Sequence, residues 1–144
     1  MQRWDSGQGE HREARGSHMW FKATAAATAG RFSLMERTLP PGGRMPPAHR
    51  HTGNDEAYFV LQGSVAFHVG DESFSGSEGT FVLVGAGEAH TFGNTSDEPA
   101  RLLVLHAPAL DDYFADLEAL WAAPESPTRD EELDLMRRHG MEPA

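Results

Sequence analysis

The chain has 144 residues, no cysteine and a formal net charge of −10 at pH 7. This length suits a single domain, and the absence of cysteine excludes disulfide bonds and zinc sites built from thiolates. A negative surface repels phosphate backbones, so we expect a small-molecule ligand and no nucleic-acid partner.

The first 18 residues are polar, contain several glycines and show no periodic pattern of apolar residues, which is typical of disordered segments. Residues 16–19 read GSHM, which resembles a cloning scar. We therefore predict a disordered arm over residues 1–19 and leave His11 and His18 out of the fold. The Ala- and Thr-rich tract at 22–30 indicates a surface segment or a lead-in strand.

Short apolar stretches separated by turn residues follow. The first, at 32–39, ends at a Pro-Pro-Gly-Gly turn. Repeated short strands with turns between them, and no alternation with helices, predict an all-β fold, an antiparallel barrel or jelly roll, over residues 20–108. The further predicted strands are 56–62, 65–69, 72–74, 80–84, 89–93 and 101–106.

The last stretch, 109–144, has a helical period instead. Apolar residues recur at helical spacing over 110–121, and Asp111 and Asp112 suit the positive N-terminal end of that helix. Thr128 and Glu131 have capping-box spacing for a second helix, which ends near Gly140. We predict two C-terminal α-helices packed on the outside of the β-fold.

The strand at 56–62 is apolar on both faces. Alternate residues from Glu56 onward would face the interior, whereas Phe59 and Leu61 would face outward. An outward apolar face has to be covered, either by the helices or by another subunit. We predict a homodimer.

No apolar run approaches the ~20 residues of a membrane span, and the N-terminus lacks the apolar core of a signal peptide. We therefore expect no membrane partner. Together with the absence of cysteine, this predicts a cytoplasmic protein.

Chemistry is concentrated in residues 43–63, which read GRMPPAHRHTGNDEAYFVLQG. His49 and His51 are two apart, so in an extended strand both imidazoles project to the same face. A turn after His51 can bring Glu56 back beside them. Two imidazole nitrogens and a carboxylate oxygen that converge in this way are typical ligands of a first-row divalent metal ion.

This stretch resembles the first motif of the cupin superfamily. Its motif positions carry Gly43, His49, His51, Glu56 and Gly63.

Residues 79–94, GTFVLVGAGEAHTFGN, resemble the second cupin motif. Gly79, Gly87, His90 and Asn94 match it, and a glycine at position 85 replaces the motif's proline.

The two motifs together cover roughly residues 32–105. The resemblance implies that His90 joins His49, His51 and Glu56 as the fourth ligand of one metal ion.

Such a ligand set accepts iron, manganese, nickel, copper or zinc, so it does not identify the metal. Three imidazoles and one carboxylate leave one or two coordination positions open, which is typical of catalytic sites. The resemblance implies a dioxygenase, similar to quercetinases, that acts on a small aromatic or enol-bearing compound. It also allows a redox-neutral polyketide cyclase or isomerase that uses the metal as a Lewis acid, or a small-ligand-binding protein without turnover.

Three more residues are candidates for the substrate pocket. Tyr58 and Phe92 lie two residues beyond Glu56 and His90 and would belong either to an aromatic wall or to the core. His106 shares a face with the apolar residues of its strand and would line the cavity as an acid or base. The resemblance further implies that Glu56 doubles as the catalytic base that deprotonates a bound hydroxyl.

Overall fold

The computed structural model describes residues 1–43 and 45–144, so Arg44 lies outside the described part. The strands are β1 (Glu10–Ala14), β2 (Ser17–Ala23), β3 (Ser33–Leu39), β4 (His49–His51), β5 (Asp55–Gln62), β6 (Val65–Val69), β7 (Glu72–Gly76), β8 (Phe81–Val84), β9 (His90–Gly93), β10 (Ala100–Ala107) and β11 (Met141–Pro143). The helices are α1 (Ala25–Thr28), α2 (Asp111–Trp121) and α3 (Arg129–Arg138).

The strands form two antiparallel sheets. The six-stranded sheet has the order β1-β2-β3-β10-β5-β8, and the five-stranded sheet has the order β11-β4-β9-β6-β7. No strand pairing joins the two sheets in the described part of the chain, so the fold is a two-sheet jelly roll and not a closed barrel. The predicted all-β antiparallel fold and the two C-terminal helices are confirmed.

The core lies between the sheets. Tyr58 of β5 packs edge-on against Phe67 of β6, with ring centroids 5.3 Å apart, and contacts Phe92 of β9 at 5.0 Å. Val60 and Leu102 are fully buried beside them. The alternation predicted for the strand from Glu56 onward therefore has the correct phase, because Glu56, Tyr58 and Val60 are buried and Phe59 is exposed.

The N-terminal segment is ordered, contrary to the disorder predicted for residues 1–19. Strands β1 and β2 form a hairpin, and β2 pairs with β3, which extends the six-stranded sheet. Its two-residue turn, Arg15-Gly16, has φ values of 55° and 74°, as in the turns that match the twist of a hairpin. Met19 and Phe21 alternate inward and are buried. We did not predict this alternation of buried residues, because we had left residues 16–19, GSHM, out of the fold.

A buried carboxylate, Glu36 of β3, attaches the segment before β1 to the sheet. It accepts hydrogen bonds from the Gly7 backbone N–H at 2.9 Å and from the Ser6 hydroxyl at 3.2 Å. Lys22 and Arg101 each lie 3.1 Å from its oxygens. Burial alone would raise the pKa of Glu36, but these donors and cations lower it to about 2.

Because its folded pKa lies below the ordinary value of 4.5, Glu36 stabilises the fold above that pH and loses this effect as the pH falls toward 2. A Glu36→Gln variant is expected to lower the free energy of unfolding by about 1–2 kcal/mol at pH 7. Urea melts at pH 7 and pH 3 would measure this, with the exposed Glu78→Gln as control. Equal wild-type and Glu36→Gln stability at pH 7 would contradict the assignment.

The C-terminal segment does not lie on the outside of the β-fold as predicted. Phe114 of α2 packs against Phe21 and His106, with ring centroids 5.7 Å and 5.6 Å apart. After α3, strand β11 pairs with β4, so that Met141 lies opposite His51. The predicted capping box is confirmed: the Thr128 side chain accepts a hydrogen bond from the Glu131 backbone N–H, and the Glu131 side chain accepts one from the Thr128 backbone N–H. The helices and β11 thus cover one end of the jelly roll.

The outer face of the six-stranded sheet remains apolar at its β8 edge. Phe59, Phe81 and Leu83 are 40%, 60% and 61% exposed, and Phe59 pairs in register with Phe81. Strand β8 ends the sheet order, so a second copy could extend the sheet through a symmetric β8–β8 pair and bring both apolar patches together. We propose that the protein is a homodimer through this face.

Light scattering after size exclusion is expected to give twice the chain mass at micromolar concentration. The double variant Phe81→Ser/Leu83→Ser should be monomeric, because it places hydroxyls in the apolar contact. Trp4→Ser, which changes an exposed aromatic residue ahead of the opposite edge strand, should stay dimeric. A monomeric wild type would exclude the dimer.

No helix among the described residues is both long and apolar enough to span a membrane. The cytoplasmic location stays a prediction.

Candidate metal centre

Three histidines and one glutamate meet between the two sheets. β4 carries His49 and His51, β9 carries His90, and β5 of the other sheet carries Glu56. His49 and His90 are register partners. One ligand atom from each of the four side chains lies within 4.8 Å of all the others, and all four are buried. The structure therefore brings the four predicted ligands together.

Backbone carbonyls orient two of the imidazoles. Nδ1 of His49 lies 2.8 Å from the carbonyl of Pro47, and Nδ1 of His90 lies 3.0 Å from that of Glu88. A carbonyl can only accept, so Nδ1 of each ring carries the hydrogen, and in the neutral ring Nε2 keeps its lone pair. Metal-binding histidines are typically held in this tautomer.

The Glu56 carboxylate lies at the centre of the cluster. Its Oε2 is 2.8 Å from Nε2 of His51 and 2.8 Å from Nε2 of His90. Burial alone would raise the pKa of Glu56, but His106 and these two imidazoles hold it well below its ordinary value. Burial and the neighbouring His90 lower the pKa of His49 to about 4. Burial alone would lower the pKa of His90, but the hydrogen bond and charge of Glu56 raise it. Metal binding requires an ionised carboxylate and neutral imidazoles, so it would displace a proton from His90.

The donor set fits a divalent cation. One carboxylate oxygen and three imidazole nitrogens converge in a buried site, and backbone carbonyls fix two of the rings. Iron, manganese, nickel, copper and zinc all accept such ligands, so the geometry does not identify the metal.

His106 is a fourth histidine at the cluster. It is the register partner of Glu56 across β10 and β5, and its Nε2 lies 3.1 Å from Glu56 Oε1. His106 therefore contacts the carboxylate oxygen that His51 and His90 do not. The sequence placed His106 on the cavity wall as an acid or base, and the structure adds a direct contact that orients Glu56.

A His106→Ala variant is expected to bind metal about 10- to 100-fold more weakly, because partners that orient a ligand contribute that much to affinity. Competition against a chromophoric chelator would measure the loss. The exposed His68, which contacts Ser73, provides the control variant His68→Ala. An unchanged metal affinity in His106→Ala would show that Glu56 binds metal without the orienting contact from His106.

The cavity beside the cluster is small. Its volume is about 20 Å³, room for one or two water molecules. The C-terminal segment forms part of its wall through Tyr113, Phe114 and Met136. Sequence reasoning missed these residues because a helical apolar stripe shows that one face is buried but not which end of the fold it covers.

The predicted pocket residues separate into two groups. Phe92 and His106 line the cavity, whereas Tyr58 lies in the core between the rings of Phe67 and Phe92. Burial raises the pKa of Tyr58 well above its ordinary value, so its hydroxyl stays protonated.

Two arginines that sequence reasoning missed also line the cavity, Arg15 from the hairpin turn and Arg37 from β3. Arg37 could have been found, because it is in phase with the inward-facing Met35 and Leu39 of the same strand. Arg15 gave no such signal, because it lies in the segment that we expected to be disordered.

The cupin-domain family model matches residues 35–106, which is half of the chain. The chain belongs to the cupin family. This cupin is 28% identical to an oxalate-binding protein of Thermotoga maritima over 89 residues, 62% of this chain and 71% of that protein. It is 43% identical to an uncharacterized protein of Streptomyces coelicolor over 54 residues, 38% of this chain and only 50% of that protein.

Among solved structures, this cupin resembles the polyketide cyclase RemF from Streptomyces resistomycificus. The TM-score is 0.64 at 23% identity, over 74% of this chain and 79% of that one. At this identity the likeness shows the fold alone.

Proposed function

We propose that this cupin is a metal-dependent dioxygenase that acts on a small enol-bearing or aromatic molecule. The proposal depends chiefly on one observation: three imidazoles and an ionised carboxylate converge in the interior, and His49, His51 and Glu56 of this cluster line a small cavity. Four protein ligands leave coordination positions open for a substrate on a five- or six-coordinate ion.

A bound iron, manganese, nickel or copper ion would supply a centre that holds an oxygen-bearing substrate and activates dioxygen. The chain's own residues would transfer the proton and exclude water. Glu56 accepts the proton of the substrate hydroxyl, and His106, 3.1 Å from Oε1, keeps the carboxylate in position. The apolar side chains of Phe92, Phe114 and Met136 line the cavity and exclude bulk water.

The cavity volume favours a small substrate. Pockets for drug-sized ligands have volumes of roughly 300–1,000 Å³, whereas this one has about 20 Å³. An aromatic ring would have to displace the covering residues of α2 or β11. A short enol-bearing molecule requires less movement, so we place it ahead of aromatic compounds.

Oxygen uptake by the iron-loaded protein with a panel of small enols and catechols tests the proposal. We expect uptake that depends on substrate and is absent from His90→Ala. Turnover that continues at the same rate under nitrogen would contradict dioxygenation and favour the redox-neutral cyclase or isomerase.

A second candidate is a small-ligand-binding protein without turnover. The relative from Thermotoga maritima is called an oxalate-binding protein, and the small cavity favours a short ligand over a large one. Calorimetric binding of a small molecule that yields no product, with or without oxygen, would favour this candidate over both enzymes.

A further inference from the structure

Arg37 is a buried cation without a carboxylate partner among the described residues. Its side chain is only 3% exposed, Nε donates to the Ser17 hydroxyl at 2.8 Å, and Cζ lies 5.3 Å from the centre of the Phe92 ring. The neighbouring Arg15 differs, because its Nη2 lies 3.3 Å from Oε2 of the buried Glu132.

Arg37 lies where two small cavities adjoin. One lies against the metal cluster, and the other, of about 10 Å³, is lined by Ser17, Gly43 and Pro46 among others. Burial lowers the pKa of Arg37 to about 10, so the guanidinium remains charged at neutral pH.

With a divalent ion bound, the charges of this interior would not balance. Arg15 and Glu132 compensate each other, and Glu56 compensates only part of the charge of a divalent ion. Arg37 then adds a further positive charge: it is attracted to Glu56, which the ion would share, and no carboxylate in the described part of the chain lies within ion-pair distance of it. A buried, uncompensated guanidinium is costly unless an anion accompanies it.

We propose that Arg37 is the anion-binding residue of this site and that the ligand is a small carboxylate. The guanidinium would receive a carboxylate group of the ligand, and the metal would receive the ligand's other oxygens. A guanidinium suits this role because its planar N–H groups match a carboxylate in two parallel hydrogen bonds. This inference rests on the proposed metal site and adds a substrate class to it.

Calorimetry on the zinc-loaded protein tests the inference without turnover, since zinc has no redox chemistry. The probes are oxalate and malonate, acetate as the single carboxylate, and malonamide as an uncharged analogue. We expect the better dicarboxylate to bind the wild type at least 10-fold more tightly than acetate or malonamide. Arg37→Gln should weaken the dicarboxylate about 10- to 100-fold and leave acetate little changed.

Two variants complete the test. Arg37→Lys keeps the charge but not the planar fork and should give an intermediate affinity. Arg137→Gln makes the same chemical change as Arg37→Gln on an exposed helix face, where Arg137 pairs with Asp134, and should bind like the wild type. If Arg37→Gln does not melt cooperatively, the inference is tested by the dicarboxylate affinity of Arg37→Lys and by the difference in wild-type affinity between malonate and malonamide.

Equal dicarboxylate affinity in the wild type and Arg37→Gln, or no wild-type preference for dicarboxylates, would overturn the inference. Its failure is distinguishable from that of the proposed function. Binding that depends on Arg37 without oxygen uptake would leave the inference standing and exclude the dioxygenase. Oxygen uptake that is the same in the wild type and in Arg37→Gln, in a protein that does not prefer dicarboxylates, would support the dioxygenase and overturn the role of Arg37.

Discussion

His90→Ala is expected to lose the metal ion, with affinity falling by more than about 100-fold. His90 is one of the four clustered side chains, and its Nε2 lies 2.8 Å from the Glu56 oxygen. Removing a partner that only orients a ligand weakens binding about 10- to 100-fold. Removing a ligand itself should therefore exceed that range. Competition against chelators of graded affinity would measure the change for each of the five candidate metals.

The matched control is again His68→Ala, because His68 is exposed on β6 and lies outside the cluster. It should bind metal like the wild type. A His90→Ala variant that folds, as judged by a cooperative melt, and keeps the wild-type affinity would remove His90 from the ligand set.

Glu56→Gln is expected to reduce turnover by about 10²–10⁴-fold, the usual contribution of a positioned general base. The substitution keeps the shape of the side chain and one acceptor oxygen, but the amide cannot take up a proton. Because the pKa of Glu56 is held well below its ordinary value, the wild-type residue is ionised at neutral pH. Turnover should be measured with metal at saturating concentration, so that weaker metal binding does not explain the loss.

Glu56→Asp is the companion variant, since it keeps the carboxylate but shortens the side chain by one methylene. It should retain more activity than Glu56→Gln if proton transfer is the missing function. A Glu56→Gln variant that binds metal normally and turns over at the wild-type rate would exclude Glu56 as the base.

Three of the four ligands could be predicted from local geometry. Two histidines at i and i+2 in a strand share a face in any sheet, and Glu56 follows them after a turn. His90 came from the motif resemblance, since nothing in its own strand reveals which neighbour it pairs with. Its register with His49 is a property of the folded sheet.

The ordered N-terminal segment depends on contacts distant in sequence. Glu36 accepts a hydrogen bond from the backbone N–H of Gly7, which is 29 residues away in sequence. No hydrophobic pattern in the first residues of the chain indicates that contact. The cover of the metal site is similar, because the apolar stripe of α2 predicted a buried face but not its contact with His106. Such features require the whole chain to be in place.

Metal analysis of protein purified without chelators tests the central claim most directly. We predict about one first-row divalent ion per chain in the wild type, retained in His68→Ala and absent from His90→Ala. A wild type that carries no metal, and takes up none of iron, manganese, nickel, copper or zinc on titration, would contradict the metal centre and with it the proposed function.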